Sequence, residues 1–97
     1  MTWASWTTTG VFAGAAGVPT DEAGVVRGDL SVHTTWTDGQ AILTVQYSGA
    51  SEWFTITGSP VRCATERESR DLHQEVVEAV RAGDVAAVLR RGHRVTT

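Results

Sequence analysis

Two runs of alternating polar and apolar residues, 30–37 and 40–47, flank an Asp-Gly pair and form the clearest pattern in the chain. An alternation with a period of two is typical of strands with one buried face, and Asp38-Gly39 favours the two-residue type I′ turn of a β-hairpin. This turn sets the register of the two strands. The predicted core face, apolar at seven of eight positions, is Leu30, Val32, Thr34, Trp36, Ala41, Leu43, Val45 and Tyr47. The predicted outer face is Ser31, His33, Thr35, Thr37, Gln40, Ile42, Thr44 and Gln46.

A first strand is predicted over residues 2–13, which are rich in Trp, Thr, Val and Phe, and Gly10 within it indicates a bulge. Residues 14–22 combine glycines, a proline and two acidic residues, a composition typical of a loop. A second strand is expected to begin near Val25, to kink at Gly28, and to continue to the hairpin turn.

A fourth strand is predicted from Glu52 to Thr57, after a turn at residues 48–51. A two-residue loop at Gly49-Ala50 would place Phe54 opposite Val45 on the core face, with Trp53 and Thr55 on the outer face. A three-residue loop would invert the strand, and this alternative stays open.

The period changes after Pro60 and predicts two helices. Thr65 and Glu68 have the spacing of a capping box, and Gly83 supplies a stop, so a helix is expected over residues 66–82. Its apolar stripe is Leu72, Val76, Val77 and Val80. Asp84 is expected to cap a short second helix over residues 84–91, followed at Gly92 by a frayed tail over residues 93–97. Val85, Val88 and Leu89 would form the apolar face of this second helix.

Together these elements predict a single α+β domain of 97 residues with two layers. An antiparallel meander of about four strands, residues 2–57, would carry the C-terminal helices on its apolar face. The opposite face of the sheet is then left as the surface of interest.

The composition is that of an ordinary soluble chain, with 41% hydrophobic and 20% charged residues. No run is apolar and long enough for a membrane span, and no secretory signal pattern is present, so a cytoplasmic location is expected. The single Cys63 cannot form an internal disulfide, which suits a reducing compartment. All eight basic residues are Arg, and neither Lys nor Asn occurs, which indicates a high-GC bacterium or one of its phages.

The net charge of −3 is unevenly distributed, because residues 1–60 carry five acidic residues against Arg27 alone. This imbalance argues against nucleic-acid binding in general. Arg90, Arg91 and Arg94 nevertheless form a small basic cluster that could contact phosphates. Stacking of bases on the sheet aromatics together with this cluster is the alternative hypothesis, while solvated helix-end charges are the plainer interpretation.

The sequence lacks a catalytic, metal-binding or cofactor signature, and no enzymatic activity and no cofactor are predicted. His33, His73 and His93 are not spaced as metal ligands, and each is expected on the surface, His73 on the solvent side of the helix. Cys63 precedes a helix, where a thiol can become nucleophilic, but a small buried side chain is the commoner role. The glycine-rich segment 10–17 lacks the Lys and Ser/Thr of a phosphate-binding loop, and the acidic pair Asp21-Glu22 is interpreted as solvated.

Four tryptophans are many for this length. Alternation places Trp36 and Trp6 in the core and leaves Trp3 and Trp53 for the outer face or an edge, unless Trp3 and a loop cover Trp53. Exposed Trp is favoured in protein interfaces. We therefore expect a non-enzymatic interaction or regulatory domain that binds a protein partner or a second copy through the outer face. The predicted contact residues are Trp53, His33, Ile42, Thr44 and Thr55.

Overall fold

A computed structural model describes residues 2–91 and, at Arg90 and Arg91, the backbone only. The predicted α+β class is confirmed: an antiparallel sheet with a C-terminal helix packed against it, while the short second helix packs on the first helix and on residues 18–20. The elements are β1 (Trp3–Phe12), β2 (Val18–Thr20), β3 (Gly24–Val26), β4 (Asp29–Thr37), β5 (Gln40–Tyr47), β6 (Phe54–Thr55), β7 (Val61–Arg62), α1 (Glu66–Ala82) and α2 (Val85–Arg91). The sheet has the order β1-β4-β5-β6, β7 also pairs with β5, and β2 and β3 form a separate hairpin. No helix among residues 2–91 is long and apolar enough to cross a membrane.

The central hairpin β4–β5 has the predicted register. Asp38 and Gly39 both have a positive φ, 51° and 78°, as the tight turn requires. Thr34 faces Leu43 and Trp36 faces Ala41. The core-face residues of the hairpin are buried except Tyr47, which lies at its end and is 42% exposed. A register slip by one residue would exchange the two faces, so the burial confirms the assignment.

Strand β1 pairs antiparallel with β4 and contains the expected bulge. Thr8 faces Val32, but Val11 faces Leu30, so one extra residue lies between these pairs on β1. Gly10 occupies the bulge with a φ of 67°, a conformation that glycine adopts without steric cost.

The region predicted as a loop followed by one long strand is divided differently. Residues 18–20 form β2, and the expected second strand is broken at Arg27-Gly28 into β3 and β4. Thr20 closes the small hairpin because its Oγ1 donates to the Gly24 carbonyl at 2.6 Å and accepts from the Ala23 amide at 3.0 Å. Three-residue strands are too short to show an alternating pattern, so this hairpin gave no sequence signal.

The fourth strand has the expected register and a shorter length. Phe54 faces Val45, as the two-residue-loop alternative requires, but the strand ends at Thr55. The Leu43 amide then donates to Ser59 Oγ at 2.9 Å, so a side chain replaces a strand partner. β7 resumes the pairing with β5, and Arg62 lies opposite Gln40. The strand predicted over residues 52–57 is thus confined to Phe54–Thr55, and β7 was not predicted.

Helix α1 has the predicted bounds. The Thr65 side chain accepts from the Glu68 amide, and Gly83 ends the helix in the left-handed conformation with a φ of 81°. The backbone carbonyl of Asp84 accepts from the Ala87 and Val88 amides at the start of α2. The predicted helix end at Gly92 and the predicted tail over residues 93–97 lie outside the described residues.

The buried stripe of α1 is wider than predicted, because Ser69, His73 and Ala79 are also buried. The expectation that His73 lies on the solvent side is wrong: it is 3% exposed and faces the sheet. Its position fits the helical period of the apolar stripe, and the polar side chain is accommodated because threonines lie opposite it. The Trp6 indole donates to Ser69 Oγ at 3.1 Å; Trp6 is half-buried at the sheet margin and is not a core residue as predicted.

Candidate interaction surface

The side of the sheet away from the helices is an extended face built from four strands and the residue before β6. Strand pairing aligns these outward side chains in rows across β1, β4, β5 and β6. We call this surface the outer face; its members are Trp3, Ser5, Thr7, Ser31, His33, Thr35, Thr37, Gln40, Ile42, Thr44, Gln46, Trp53 and Thr55.

His33 lies near the middle of the outer face. Its Nδ1 is 2.7 Å from the Thr7 hydroxyl oxygen, and Thr44 faces it from β5. The ring centroids of His33 and Trp53 are 5.6 Å apart at an interplanar angle of 54°. The imidazole therefore holds the indole from one side, while Thr7 restrains the imidazole.

Three large apolar side chains of the outer face are open to solvent. Trp3 is 63% exposed, Ile42 is 42% exposed and Trp53 is 40% exposed. Around them the surface consists of hydroxyl and amide side chains. Such a face offers both apolar area and hydrogen-bonding groups to a partner.

The outer face contains no carboxylate and no guanidinium side chain. Charged groups lie at its margin: Arg62 is opposite Gln40, and Glu22 contacts Thr55. The excess of acidic residues in the first 60 positions therefore does not place negative charge within this face.

Glu22 and Asp21 hold the β2–β3 hairpin against the β6 edge. Glu22 accepts from the Thr55 amide at 2.6 Å and from the Thr55 hydroxyl at 2.8 Å, and Asp21 accepts from the Thr57 hydroxyl at 2.9 Å. The hydroxyl and amide of Thr55 lower the pKa of Glu22 by stabilising its charged form. The acidic pair, interpreted from sequence as merely solvated, is thus a clamp that covers one edge of the sheet.

Comparison of the chain with known protein families, characterised proteins and solved structures gives no match. Function therefore has to be inferred from the residues themselves.

The five contact residues predicted from sequence lie together on the outer face. Row pairing brings His33, Thr44 and Thr55 side by side, and Trp53 packs on the His33 ring. Sequence reasoning missed Thr7, which orients His33, and left Trp3 open between the outer face and an edge; the structure places Trp3 on the outer face, in the edge strand β1. The β1–β4 register that would reveal both depends on a bulge and on a long connection, neither of which the residue pattern determines.

The predicted phosphate-contact cluster is not described by the structure. Arg94 lies outside residues 2–91, and the side chains of Arg90 and Arg91 are not described. In the glycine-rich segment, the Gly17 amide donates to the Gly14 carbonyl and the Gly14 amide donates to the Val80 carbonyl at the end of α1. This contact gives the segment a helix-capping role.

Cys63 is 3% exposed, and burial together with Glu68 raises the pKa of its thiol to about 11. Its amide donates to the Gly39 carbonyl, and its carbonyl accepts from the Trp36 indole at 3.0 Å. A buried thiol with a raised pKa has little of the thiolate that a nucleophile requires. Among residues 2–91 there is also no cluster of three or more His, Cys, Asp or Glu able to hold a metal ion.

Proposed function

We propose that the protein is a small non-enzymatic interaction domain that binds a protein partner through the outer face, with Trp53 as its anchor. The observation that supports this most is the pairing of an exposed indole with a restrained imidazole in the middle of a face that lacks carboxylate and guanidinium groups. Buried interface centres are enriched in aromatic residues and depleted of charged ones.

The arrangement lowers the entropic cost of binding. Ordering a mobile side chain at an interface costs about 0.5–1.5 kcal/mol. Trp53 already packs on His33, and His33 is already hydrogen-bonded to Thr7. Less side-chain conformational freedom therefore remains to be lost on binding. A Trp with two side-chain torsions also buries a large area at low entropic cost.

The partner we expect presents a flat, largely uncharged surface with apolar groups at its centre. Threonine and glutamine side chains of the outer face would pair with hydroxyl, amide or main-chain groups of that surface. The marginal charges Arg62 and Glu22 would contribute little affinity, because exposed ion pairs are worth only about 0–1 kcal/mol.

The test is capture of the partner from a nuclease-treated lysate, followed by titration of the purified partner against wild type and two variants. Trp53→Ala removes the anchor. Tyr47→Ala is the matched control, because Tyr47 is 42% exposed and belongs to the opposite face of the sheet. Circular dichroism and thermal unfolding establish that both variants remain folded.

We expect Trp53→Ala to weaken binding at least about thirtyfold, the range of an interface hot spot of 2 kcal/mol or more, and Tyr47→Ala to change it less than about threefold. Equal affinities for wild type and Trp53→Ala would overturn the proposal. Capture that disappears with nuclease would favour nucleic-acid binding through the Arg cluster instead.

A further inference from the structure

Strand β1 leaves a row of main-chain groups without partners among residues 2–91 at the edge of the sheet. Thr37 and Gln40 flank the two-residue turn and exchange hydrogen bonds, so alternate residues of β4 point toward β5 and toward β1. Carried across to β1, this alternation turns the main chain of Ala4, Trp6 and Thr8 toward β4.

The amides and carbonyls of Trp3, Ser5 and Thr7 therefore point away from the sheet. No main-chain hydrogen bond joins these groups to any other described residue. They form a short template for one more antiparallel strand.

The two edges of the sheet are treated differently. At the β6 edge, the Asp21 amide donates to the Thr55 carbonyl and Glu22 accepts from the Thr55 amide, so that edge is covered. At the β1 edge, residues 3–9 contain no charged residue and no proline, the usual devices that keep an edge from pairing. Only the bulge at Gly10 interrupts it.

We propose that β1 pairs antiparallel with β1 of a second copy, about a twofold axis at Ser5, and joins the two sheets into one. Trp3 then faces the second copy's Thr7, and Ser5 faces the second copy's Ser5. The outward groups of Trp3, Ser5 and Thr7 bond to the same groups of the second copy, about six main-chain hydrogen bonds in all.

The side chains fit this register. On the helix side, Trp6 faces the second copy's Ala4, so a large ring meets a small side chain in both halves of the interface. Trp6 is only half-buried in the single chain, and this neighbour covers it further. At the axis, the small Ser5 side chains meet without a clash.

The charges also favour a second copy over an unrelated strand. Beside Trp6, a surface cavity is lined by Glu66, Arg67 and Arg70 of α1, which carry both signs. The twofold axis brings this mixed group next to its own copy, so that acidic and basic side chains can pair. The uncharged strand itself spares the two copies a like-charge contact despite the net charge of −3.

This dimer goes beyond the proposed function and does not depend on it. Edge pairing leaves both outer faces open and sets them side by side on one surface. Failure of the dimer would leave partner binding by a single chain intact, and loss of partner binding would leave the dimer intact.

The first experiment combines sedimentation with amide hydrogen exchange on the wild-type chain at low and high concentration. We expect a dimer mass at high concentration. The amides of Trp3, Ser5 and Thr7 should then exchange at least about tenfold more slowly than at low concentration, whereas those of Ala4, Trp6 and Thr8 are protected at both. A monomer at all concentrations, or exchange at the three outward amides that does not respond to concentration, would overturn the proposal.

Variants test the edge and the register separately. Ser5→Pro removes an outward amide and should abolish the dimer, while Ser5→Ala keeps the amide and should dimerise like wild type. Under oxidising conditions Ser5→Cys should form a disulfide-linked dimer, because residue 5 faces itself, and Thr7→Cys should not. If Ser5→Pro fails to fold, the variants Ser5→Cys and Thr7→Cys test the dimer in its place. Efficient cross-linking of Thr7→Cys with none of Ser5→Cys would contradict the register. Self-association lost in Trp53→Ala and kept in Ser5→Pro would place the contact on the outer face and overturn the edge dimer.

Discussion

The Nδ1 atom of His73 lies 2.8 Å from the Thr34 hydroxyl oxygen, inside the layer between α1 and the sheet. The other ring nitrogen, Nε2, lies 2.8 Å from the Thr8 hydroxyl oxygen. A buried polar ring is tolerated when both nitrogens have partners. Burial and the charge of His33 lower the pKa of His73, in that order of importance.

Stability should therefore fall as the pH falls through the ordinary histidine value of 6.5. Above this value His73 is neutral in both the folded and the unfolded chain, so it does not make the free energy of unfolding depend on pH. Below it the unfolded chain takes up the proton first, and the free energy of unfolding decreases until the pH reaches the lowered pKa of the folded state. Urea unfolding at pH 7.5 and pH 5.5 measures this slope.

His73→Gln is the control for the source of this pH dependence. Gln keeps a hydrogen-bonding group but does not titrate, so we expect a loss of about 1–3 kcal/mol at pH 7.5 and a flatter profile down to pH 5.5. Glu22 does not interfere, because a carboxyl with a lowered pKa loses its contribution only as the pH falls below its ordinary value of 4.5. An unchanged slope in His73→Gln would exclude His73 as the source.

The burial of His73 could not be predicted from the sequence pattern. The capping box at Thr65 and the stop at Gly83 were enough to predict the helix bounds, but assigning polar side chains to the solvent side misplaced His73. Whether a polar group inside the stripe is buried depends on what faces it. Thr8 and Thr34 come from strands whose position relative to α1 is set by tertiary packing.

The hairpin register predicts a large loss of stability on truncating one residue and a small loss on truncating its neighbour. Leu43 is fully buried, so Leu43→Ala should lower the free energy of unfolding by about 2–5 kcal/mol. Ile42 is 42% exposed on the outer face, and Ile42→Ala should cost less than about 1 kcal/mol. Chemical denaturation of both variants measures the difference, and equal costs would contradict the register.

Gly14 is expected to tolerate substitution less well than its loop neighbour Ala16. A Cβ at this position would lie 2.8 Å from the Gly83 nitrogen and 2.9 Å from the Arg81 carbonyl oxygen, both main-chain atoms at the end of α1. Gly14→Ala should therefore destabilise the fold by about 1–3 kcal/mol, because backbone has to move. Ala16→Gly provides a loop control without this clash, and thermal unfolding compares the two. A melting temperature for Gly14→Ala equal to that of wild type would show that the loop yields freely.

The outer face was predictable to the extent that a single turn determines it. Asp38-Gly39 alone placed His33, Ile42 and Thr44 on one side of the sheet. The contribution of β1 was not predictable, since the bulge at Gly10 shifts its register and the intervening β2–β3 hairpin has no alternating pattern. The contact of Glu22 with Thr55 could not be predicted either, because a contact between segments distant in sequence produces no pattern in the local sequence.

The buried thiol predicts slow chemistry at Cys63. With a pKa of about 11, only about one thiol in a thousand is ionised at pH 8, and the side chain is almost inaccessible. A disulfide reagent at pH 8 should label the folded protein at least about a hundredfold more slowly than the protein unfolded in urea, and the rate should follow the fraction unfolded. Cys63→Ser supplies the background rate. Labelling of the folded chain as fast as that of the unfolded chain would instead indicate an accessible, activated thiol and reopen a cysteine-dependent enzyme as a hypothesis.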